Sequence, residues 1–476
     1  MAKATIKTVA TPCDAYEDKV ALWEKCRAIC GGEEAAKDHD AFVHQPKNFL
    51  IPFSPTMSQK QFNLLKQEAE LPGVSAEFSR LLVAALLRKE PEVILPDDAP
   101  AGALEWIRGE FGSDGSPLVT YMDTILLEEI ITSRGWTFID YDGELAYPIL
   151  YRAESIINWR FNSVELTQVV VLASEEVAGK SEFHPDYKSV VFVHELVDDK
   201  YQVRKFVMEE KSKEWHVEGE PDVPLKNGQP LDYIPAWPNN GEIDPDDPFL
   251  LTIINKEIAL YNKITRRNHL LYGASTYTPY LEGNCDDPEF QKIVSSGLGA
   301  WLKIPEGCKL NILQTPTEAL TDLDRAIASG FEELAKLGVR MLSPETSQSG
   351  VALQLRNASQ TAKVGTLNTR ISVIMSQVVA TMVNWRYRTD YKPDQIKFSL
   401  QSDFNSYIQG EGWLRLATEW YENNLIPRDI WLQLLRQNNV LPDDYSDDMD
   451  KTNEVVDKFT TFSDKLDKGK ADATSE

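Results

Sequence analysis

Three helical segments follow one another in the middle of this chain, and their order constrains its fold more than any other feature. Helical spacing of apolar residues predicts a first helix over Pro248–Tyr272 and a second over Thr317–Leu337. A third, much longer helix is predicted over Val351–Arg388. One face of this helix, called its seam below, consists of apolar residues spaced three or four positions apart: Leu367, Ile371, Ile374, Val378, Met382 and Trp385. Two medium helices and one very long helix therefore organise this part of the chain.

Local signals predict where these helices begin and end. Asp247 is a suitable cap for the first helix, and Gly273 is suited to end it. The second helix is expected to begin after a cap at Thr317 and to stop near Gly338.

Two connections separate the three helices. The first spans 276–316, where Trp301–Ile304 and Lys309–Leu313 predict short strands about a turn at Pro305-Glu306-Gly307. The second is a loop whose residues are typical of turns and which carries one charge. It consists of Leu342, Ser343, Pro344, Glu345, Thr346, Ser347, Gln348, Ser349 and Gly350.

The rest of the chain divides into a mixed amino-terminal half and a helical carboxyl-terminal region. Helices are predicted over Ala15–Cys30, Ser75–Leu87 and Leu118–Ser133. From Gly135 to Pro238 the residues favour strands, predicted at Thr137–Asp140, Ala146–Tyr151, Val164–Ala173, Ser189–Leu196, Gln202–Glu209 and Glu214–Val217. Further helices are predicted over Gly412–Asn423, Arg428–Asn438 and Asp447–Asp464, and residues 465–476 are expected to be disordered. The fold class is therefore α+β.

This order of elements resembles the portal proteins of tailed bacteriophages, the rings through which DNA enters and leaves the capsid. The resemblance extends upstream to ALWEKCRAICGGEEAAK, FSRLLVAALLRKEPEV and GWTFIDYDGELAYPILYRAESIINWRF, and covers most of residues 20–440. It implies a portal-type fold with these parts: an amino-terminal wing (1–243), a first stem helix (244–275), a clip (276–316), a second stem helix (317–341), a tunnel loop (342–350), a long wing helix (351–388), a carboxyl-terminal helical wing or crown (389–464) and a disordered tail (465–476).

The resemblance implies a mechanical function rather than catalysis. The chain would form a homo-oligomeric ring of twelve copies at one capsid vertex, used for DNA packaging and ejection. Its partners would be the terminase, the head-to-tail connector or adaptor, the major capsid protein and double-stranded DNA that passes non-specifically. It would need no cofactor or metal, would contact no membrane, and would be assembled in the host cytoplasm before residing in the virion.

Charge and composition agree with this interpretation. The net charge of −25 disfavours tight or sequence-specific DNA binding, because proteins that grip phosphates are usually basic. A negative channel wall would let DNA slide, although the same charge could simply aid solubility. No apolar leader or membrane-spanning run is found, and five scattered cysteines suit a reducing compartment. The 476 residues are expected to form two or more structural regions.

Two clusters are candidates for contacts with partners. Lys263, Arg266 and Arg267, near the clip end of the first stem helix, could contact DNA or a motor protein, or could form a solvated helix face. The long helix carries uncharged polar residues where a free surface would usually be charged, which predicts contact with another subunit. The interface candidates are Gln354, Asn357, Gln360, Asn368, Ser372 and Gln377.

Enzymatic alternatives rest on weaker patterns. Gly179-Lys180-Ser181 ends like a phosphate-binding loop but lacks its first glycine, so a surface turn is expected. His194-Glu195 lacks the second histidine of a zinc-protease helix and is interpreted as strand surface. Cys26, Cys30, His39 and His44 are the best metal candidates, but core packing of the two thiols is favoured. A phage-encoded α+β hydrolase or nuclease and a non-channel capsid or adaptor protein remain the alternative functions.

Overall fold

A computed structural model describes residues 8–42, 50, 58–141, 145–163, 165–181, 184–209, 214–275, 278–283, 309–313, 318–342, 350–400 and 418. The chain divides into two compact units, Met1–Gln401 and Ser402–Glu476. The architecture below is that of the first unit. The helices predicted beyond residue 401 and the tail predicted to be disordered lie outside the described residues, apart from Thr418, which is helical.

Nine α-helices lie within the described residues. They are α1 (Asp14–Cys30), α2 (Glu33–Phe42), α3 (Gln59–Glu68), α4 (Val74–Leu86), α5 (Ala103–Gly109), α6 (Leu118–Thr132), α7 (Leu251–Ser275), α8 (Glu318–Leu342) and α9 (Gly350–Tyr387). Those predicted near residues 15, 75 and 118 are confirmed to within one residue at each end. Helices and antiparallel sheets occupy largely separate stretches, so the α+β class is confirmed.

A five-stranded antiparallel sheet forms the largest β element. Its strands lie in chain order: β4 (Ile156–Asn162), β5 (Glu165–Ser181), β6 (His184–Val197), β7 (Lys200–Met208) and β8 (Trp215–Val217). Valines dominate its buried part, where Ile157, Val170, Val191 and Val193 form one cluster. β-branched residues pack well on a pleated, half-buried surface, which explains why this run folds as strands. The predicted strands over these positions are confirmed, whereas β4 was not predicted.

Four smaller sheets lie within the described residues, and two of them join strands that are far apart in the sequence. β2 (Trp136–Tyr141) pairs with β3 (Ala146–Tyr151) on one side and β11 (Ala236–Pro238) on the other. β1 (Glu92–Ile94) pairs with β14 (Lys397–Ser399), with Val93 opposite Phe398. Two-residue strands β9 (Leu225–Lys226) and β10 (Gln229–Pro230) form a hairpin, and β12 (Thr278–Glu282) pairs with β13 (Lys309–Leu313).

The long helix α9 supplies much of the core. All six residues of its predicted seam are less than a tenth exposed, so the seam is confirmed. From Val378 to Trp385 every residue is buried, and the Trp385 ring stacks on Tyr141 with ring centroids 5.1 Å apart. The carboxyl-terminal half of α9 therefore lies in the core of the first unit.

An ion-pair cluster around the buried Glu128 joins α1 to α6. Arg27 of α1 donates two hydrogen bonds to Glu128 of α6 and two to Glu154, at 2.7–2.9 Å. Glu128 also accepts from the backbone nitrogen of Ala153. Because Glu128 is nearly buried, its charge depends on Arg27 for compensation.

Three predicted helix boundaries are wrong. α7 begins at Leu251, so Asp247 is not its cap; this carboxylate instead binds Lys19 of α1. α7 also passes through Gly273 to Ser275, and α8 passes through Gly338 to Leu342. Glycine disfavours a helix interior by only about 1 kcal/mol, so helix continuation can override it.

Candidate functional site

The two predicted stem helices pack against each other as an antiparallel pair. Lys256 of α7 lies 2.7 Å from Glu333 of α8. Farther along the same pair, the Lys263 ammonium donates to the carbonyl of Ala326 at 3.3 Å, and Arg267 lies 2.7 Å from Asp324. As residue numbers increase along α7, the numbers of the residues that they contact on α8 decrease. The two helices are therefore antiparallel.

A close contact between Leu260 and Gly330 sets the spacing of the pair. A Cβ atom placed on Gly330 would lie 3.0 Å from Leu260 Cδ1, closer than ordinary van der Waals contact. Glycine at this position lets the two helices approach. Leu260 itself is buried, whereas most of the described side chains on α8 are exposed or half-buried.

A β-hairpin joins the far ends of the pair. Thr278–Glu282 follows α7, Lys309–Leu313 precedes α8, and the two strands pair antiparallel over five residues. The strand predicted at Lys309–Leu313 is confirmed. Its partner is Thr278–Glu282, and the predicted strand Trp301–Ile304 and turn at Pro305 lie outside the described residues.

The predicted tunnel loop is bounded by helices on both sides. α8 ends at Leu342 and α9 begins at Gly350, so these two positions belong to helices. The intervening positions lie outside the described residues: Ser343, Pro344, Glu345, Thr346, Ser347, Gln348 and Ser349.

The predicted basic cluster is split by the fold. Lys263 and Arg267 contact α8, as described above, and therefore contribute to packing of the helix pair. Arg266 is exposed. Of the three residues, only Arg266 lies on a solvated helix face. Contact of the cluster with DNA or a motor protein stays a prediction.

Two of the predicted interface residues are engaged within the chain. Asn368 is buried and donates its amide to the carbonyl of Leu400, while the Ser372 hydroxyl donates to Asn368 Oδ1 and accepts from the nitrogen of Leu400. The segment after β14 thus supplies partners within the chain for both residues, and contact of either with another subunit stays a prediction. Gln377 is half-buried. The side chains of Gln354, Asn357 and Gln360 lie outside the described part, and an interface there stays a prediction.

Arg370 links α9 to the segment that precedes α7, a contact that was not predicted. Its guanidinium lies 2.8 Å from Glu242 and 2.7 Å from Asp246. A signal was present in the sequence: residues 350–387 contain four basic residues and no acidic one, so an acidic partner for any of them has to come from another segment.

Two of the enzyme-like patterns lie on strands, whereas the chemistry of each would require a helix. Gly179-Lys180-Ser181 lies at the end of strand β5, whereas a phosphate loop opens a helix, and the expected surface turn is also wrong. His194 Nδ1 lies 2.7 Å from the Tyr201 hydroxyl, and burial lowers the pKa of this histidine to about 4. Glu195 is buried and paired with Arg204, which corrects its interpretation as ordinary strand surface.

The two cysteines of the predicted metal set pack in the core. Cys26 and Cys30 are buried on one side of α1, and burial raises the pKa of each thiol to about 12. They are therefore neutral thiols, as the core-packing interpretation expects; His44 lies outside the described residues. Within the described ranges, no group of three or more His, Cys, Asp or Glu residues is placed to hold a metal ion. No helix among these residues is long and apolar enough to span a membrane.

Comparisons with known proteins identify structural similarities at low identity. No family model matches the chain, and no curated protein matches it. Among solved structures, the virion of a native gene transfer agent (GTA) particle is 10% identical, with 77% of this chain and 89% of that chain covered and a TM-score of 0.33. The neck of the native GTA particle computed with C12 symmetry is 11% identical, with 80% and 95% covered and a TM-score of 0.35. The neck of the empty particle computed with C6 symmetry is 11% identical, with the same coverages and a TM-score of 0.33.

Proposed function

We propose that the chain is a subunit of a portal: a non-enzymatic ring through which double-stranded DNA is packaged and ejected. The observation that carries this proposal is the order of the described elements. An antiparallel pair of 25-residue helices, tied at its far end by a β-hairpin, is followed by a 38-residue helix whose second half is buried in an α+β body. This is the order that the portal resemblance implies.

Each part has a mechanical role in this proposal. The α7–α8 pair is the stem, the hairpin of β12 and β13 belongs to the clip, and residues 342–350 contact DNA in the channel. The ring has twelve copies and docks the terminase, the connector and the major capsid protein at a capsid vertex of the virion. ATP is hydrolysed by the terminase, not by this chain.

Electrostatics support passage of DNA without tight binding. The chain carries 74 acidic and 49 basic residues. On the stem, Lys256 and Arg267 are each paired with an acid of α8, so their charges are locally balanced. Surfaces of this kind release few counterions from DNA and bind it weakly at physiological salt.

The mass of the native assembly tests the proposal. Twelve copies of the 53.8 kDa chain would weigh about 650 kDa and should appear as rings with a central hole under negative stain. The same preparation should not hydrolyse ATP or cleave DNA with magnesium present. Monomers at micromolar concentration in every salt tried would contradict the ring. Turnover that is lost on mutation of a single residue would favour a hydrolase or nuclease instead.

A further inference from the structure

One face of the five-stranded sheet carries an apolar patch at the end where β5 stops and β6 begins. Residues directly opposite each other in an antiparallel pair point to the same face, and so do alternate residues along a strand. One row across four strands consists of Leu172, Val191, Phe206 and Val217. The apolar residues at this end of the same face, called the open patch, are Leu172, Tyr187, Phe206, Met208, Trp215 and Val217.

The open patch is exposed although it is apolar. Leu172, Met208 and Val217 are 37%, 41% and 44% exposed, and Tyr187 is 66% exposed. The opposite face at the same end is charged instead. Its ions pair with one another at 2.7–3.5 Å, and they are Glu175, Lys188, Lys205 and Glu218. The charged face is thus satisfied by its own ion pairs, whereas a contiguous apolar face is typical of a surface that another segment covers.

The start of the described chain already covers the adjoining part of this face. Val9 and Ala10 pack against a buried cluster of the sheet, and Phe206 and Trp215 of the open patch pack against the same cluster. The backbone is held there because the nitrogen of Cys13 donates to the carbonyl of Ile157 in β4, at 2.9 Å. The residues that precede Thr8 therefore begin beside the open patch.

The open patch selects for an extended segment with apolar residues at every second position. Such a segment places its apolar side chains on the sheet and its other side chains in solvent. Glu176 and Asp186 are exposed at this end of the sheet and favour basic side chains in that segment. Residues 2–7 have this pattern: Ala2, Ala4 and Ile6 alternate with Lys3, Thr5 and Lys7.

Residues 1–7 are also long enough to cross the open patch. In an extended conformation they span about 23 Å, whereas the three strand spacings from β5 to β8 amount to about 14 Å. A segment held at Val9 can therefore reach the far side of the patch.

We propose that residues 1–7 lie across the open patch, with their apolar side chains against the sheet and their two lysines toward its acidic end. The occupant is this chain's own segment ahead of Thr8, and it extends the packing that Val9 and Ala10 begin. The proposal does not rest on ring formation, because it concerns one face of a single subunit.

Hydroxyl-radical oxidation, read by mass spectrometry, tests the proposal because it reports the exposure of individual tyrosine and methionine side chains. Tyr187 in the open patch is compared with Tyr272 on α7, which is 52% exposed. In the unaltered chain Tyr187 should be oxidised more slowly than Tyr272, because residues 1–7 cover it. Deletion of residues 2–7 should raise oxidation of Tyr187 and Met208 several-fold and leave that of Tyr272 unchanged.

Two variants at neighbouring positions show which side of the segment contacts the sheet. Ile6→Asp places a charge against the open patch and should raise oxidation of Tyr187 and Met208 as the deletion does. Thr5→Asp introduces the same charge on the solvent side and should leave both unchanged. Equal oxidation of Tyr187 in the unaltered and shortened chains, or equal effects of the two substitutions, would overturn the proposal.

A mixed preparation identifies which copy supplies the segment. Isotope-labelled shortened chains are refolded together with unlabelled full chains. Tyr187 of the labelled chains should stay readily oxidised, because each chain covers only its own sheet. Protection of the labelled Tyr187 would assign the segment to a neighbouring copy and contradict the proposal. The native mass of the same preparation reports ring formation, so this proposal and the portal proposal can fail separately.

Discussion

Glu257 of α7 accepts a hydrogen bond from the backbone nitrogen of Val74 at 2.7 Å and thereby caps helix α4. Its other carboxylate oxygen accepts from the nitrogen of Ser75, also at 2.7 Å. Gly73, the residue before α4, has no side chain to provide a cap. A fully buried acid on the predicted stem thus completes a helix in the amino-terminal region.

Replacement of Glu257 by alanine should destabilise the chain by about 2–4 kcal/mol, because two helix-terminal N–H groups would be left buried without acceptors. Glu257→Gln keeps one acceptor and should cost less. Urea unfolding followed by circular dichroism measures both. Asp123→Asn, an exposed acid-to-amide change on α6, is the control and should lie within about 0.5 kcal/mol of the unaltered chain. Equal effects of Glu257→Ala and the control would show that the cap contributes nothing.

Protonation of Glu129 should make stability depend on pH. Its pKa is raised from 4.5 to about 8, chiefly by burial, so between these values the folded chain retains a proton that the unfolded chain has lost. This contribution to the free energy of unfolding is present below pH 4.5 and is lost as pH rises to 8. The slope is at most about 1.4 kcal/mol per pH unit.

The variant Glu129→Gln isolates this effect. Because glutamine does not ionise, the stability of the variant relative to the unaltered chain should increase steadily from pH 5 to pH 8. Urea midpoints at pH 5, 6, 7 and 8 give the comparison. A difference that stays constant over this range would mean that Glu129 is ionised in the folded chain.

Glycine substitutions should distinguish helix packing from helix propensity. Gly330→Val places two methyl groups against Leu260 and should destabilise the stem pair by about 1–3 kcal/mol. A methyl group added to Gly365, inside α9, would meet nothing within 4 Å. Gly365→Ala should therefore stabilise the chain by about 0.5–1 kcal/mol through helix propensity. Thermal unfolding measures both changes, and destabilisation by Gly365→Ala would contradict the packing described for α9.

Shortening residues 343–349 to a Gly-Ser linker should leave ring assembly intact and impair DNA packaging or retention in assembled heads. The buried seam of α9 and the α7–α8 contacts lie outside this segment, which is why the rings should persist. Glu345→Gln, which removes the only charge of the segment, is the matched control for an electrostatic effect. Loss of rings in the shortened chain would make the loop structural, and unimpaired packaging would remove its proposed role.

The spacing of apolar residues and the content of β-branched residues predicted several helices and strands of the fold. The seam from Leu367 to Trp385 was predictable because its apolar residues recur at helical spacing, and the valine-rich strands were predictable because β-branched residues favour strands. β4 was not predicted, although Ile157, Trp159 and Phe161 alternate with Asn158, Arg160 and Asn162 as in a half-buried strand. Glycine signals at positions 273 and 338 were misleading because the helices continue through them.

The contacts that shape the sites depend on residues far apart in the chain. Glu257 caps a helix 183 positions away, and Arg370 meets Asp246 across 124 positions. Nothing in a local window marks such pairs. The polar residues Asn368 and Ser372 illustrate the limit: composition alone could not tell a face covered by another subunit from a face covered by the segment at Leu400.

The unbroken course of α9 has a mechanical consequence. At 1.5 Å per residue, its 38 residues extend about 57 Å from Gly350 to Tyr387 without an internal joint. If the helix moves as one body, a displacement of its first turn tilts it about its buried second half. Because Arg370 binds Asp246 and Glu242 ahead of α7, such a tilt would pull on the base of the helix pair. Movement at the first turn of α9 would in this way be coupled to the segment ahead of α7 through the buried half of the helix.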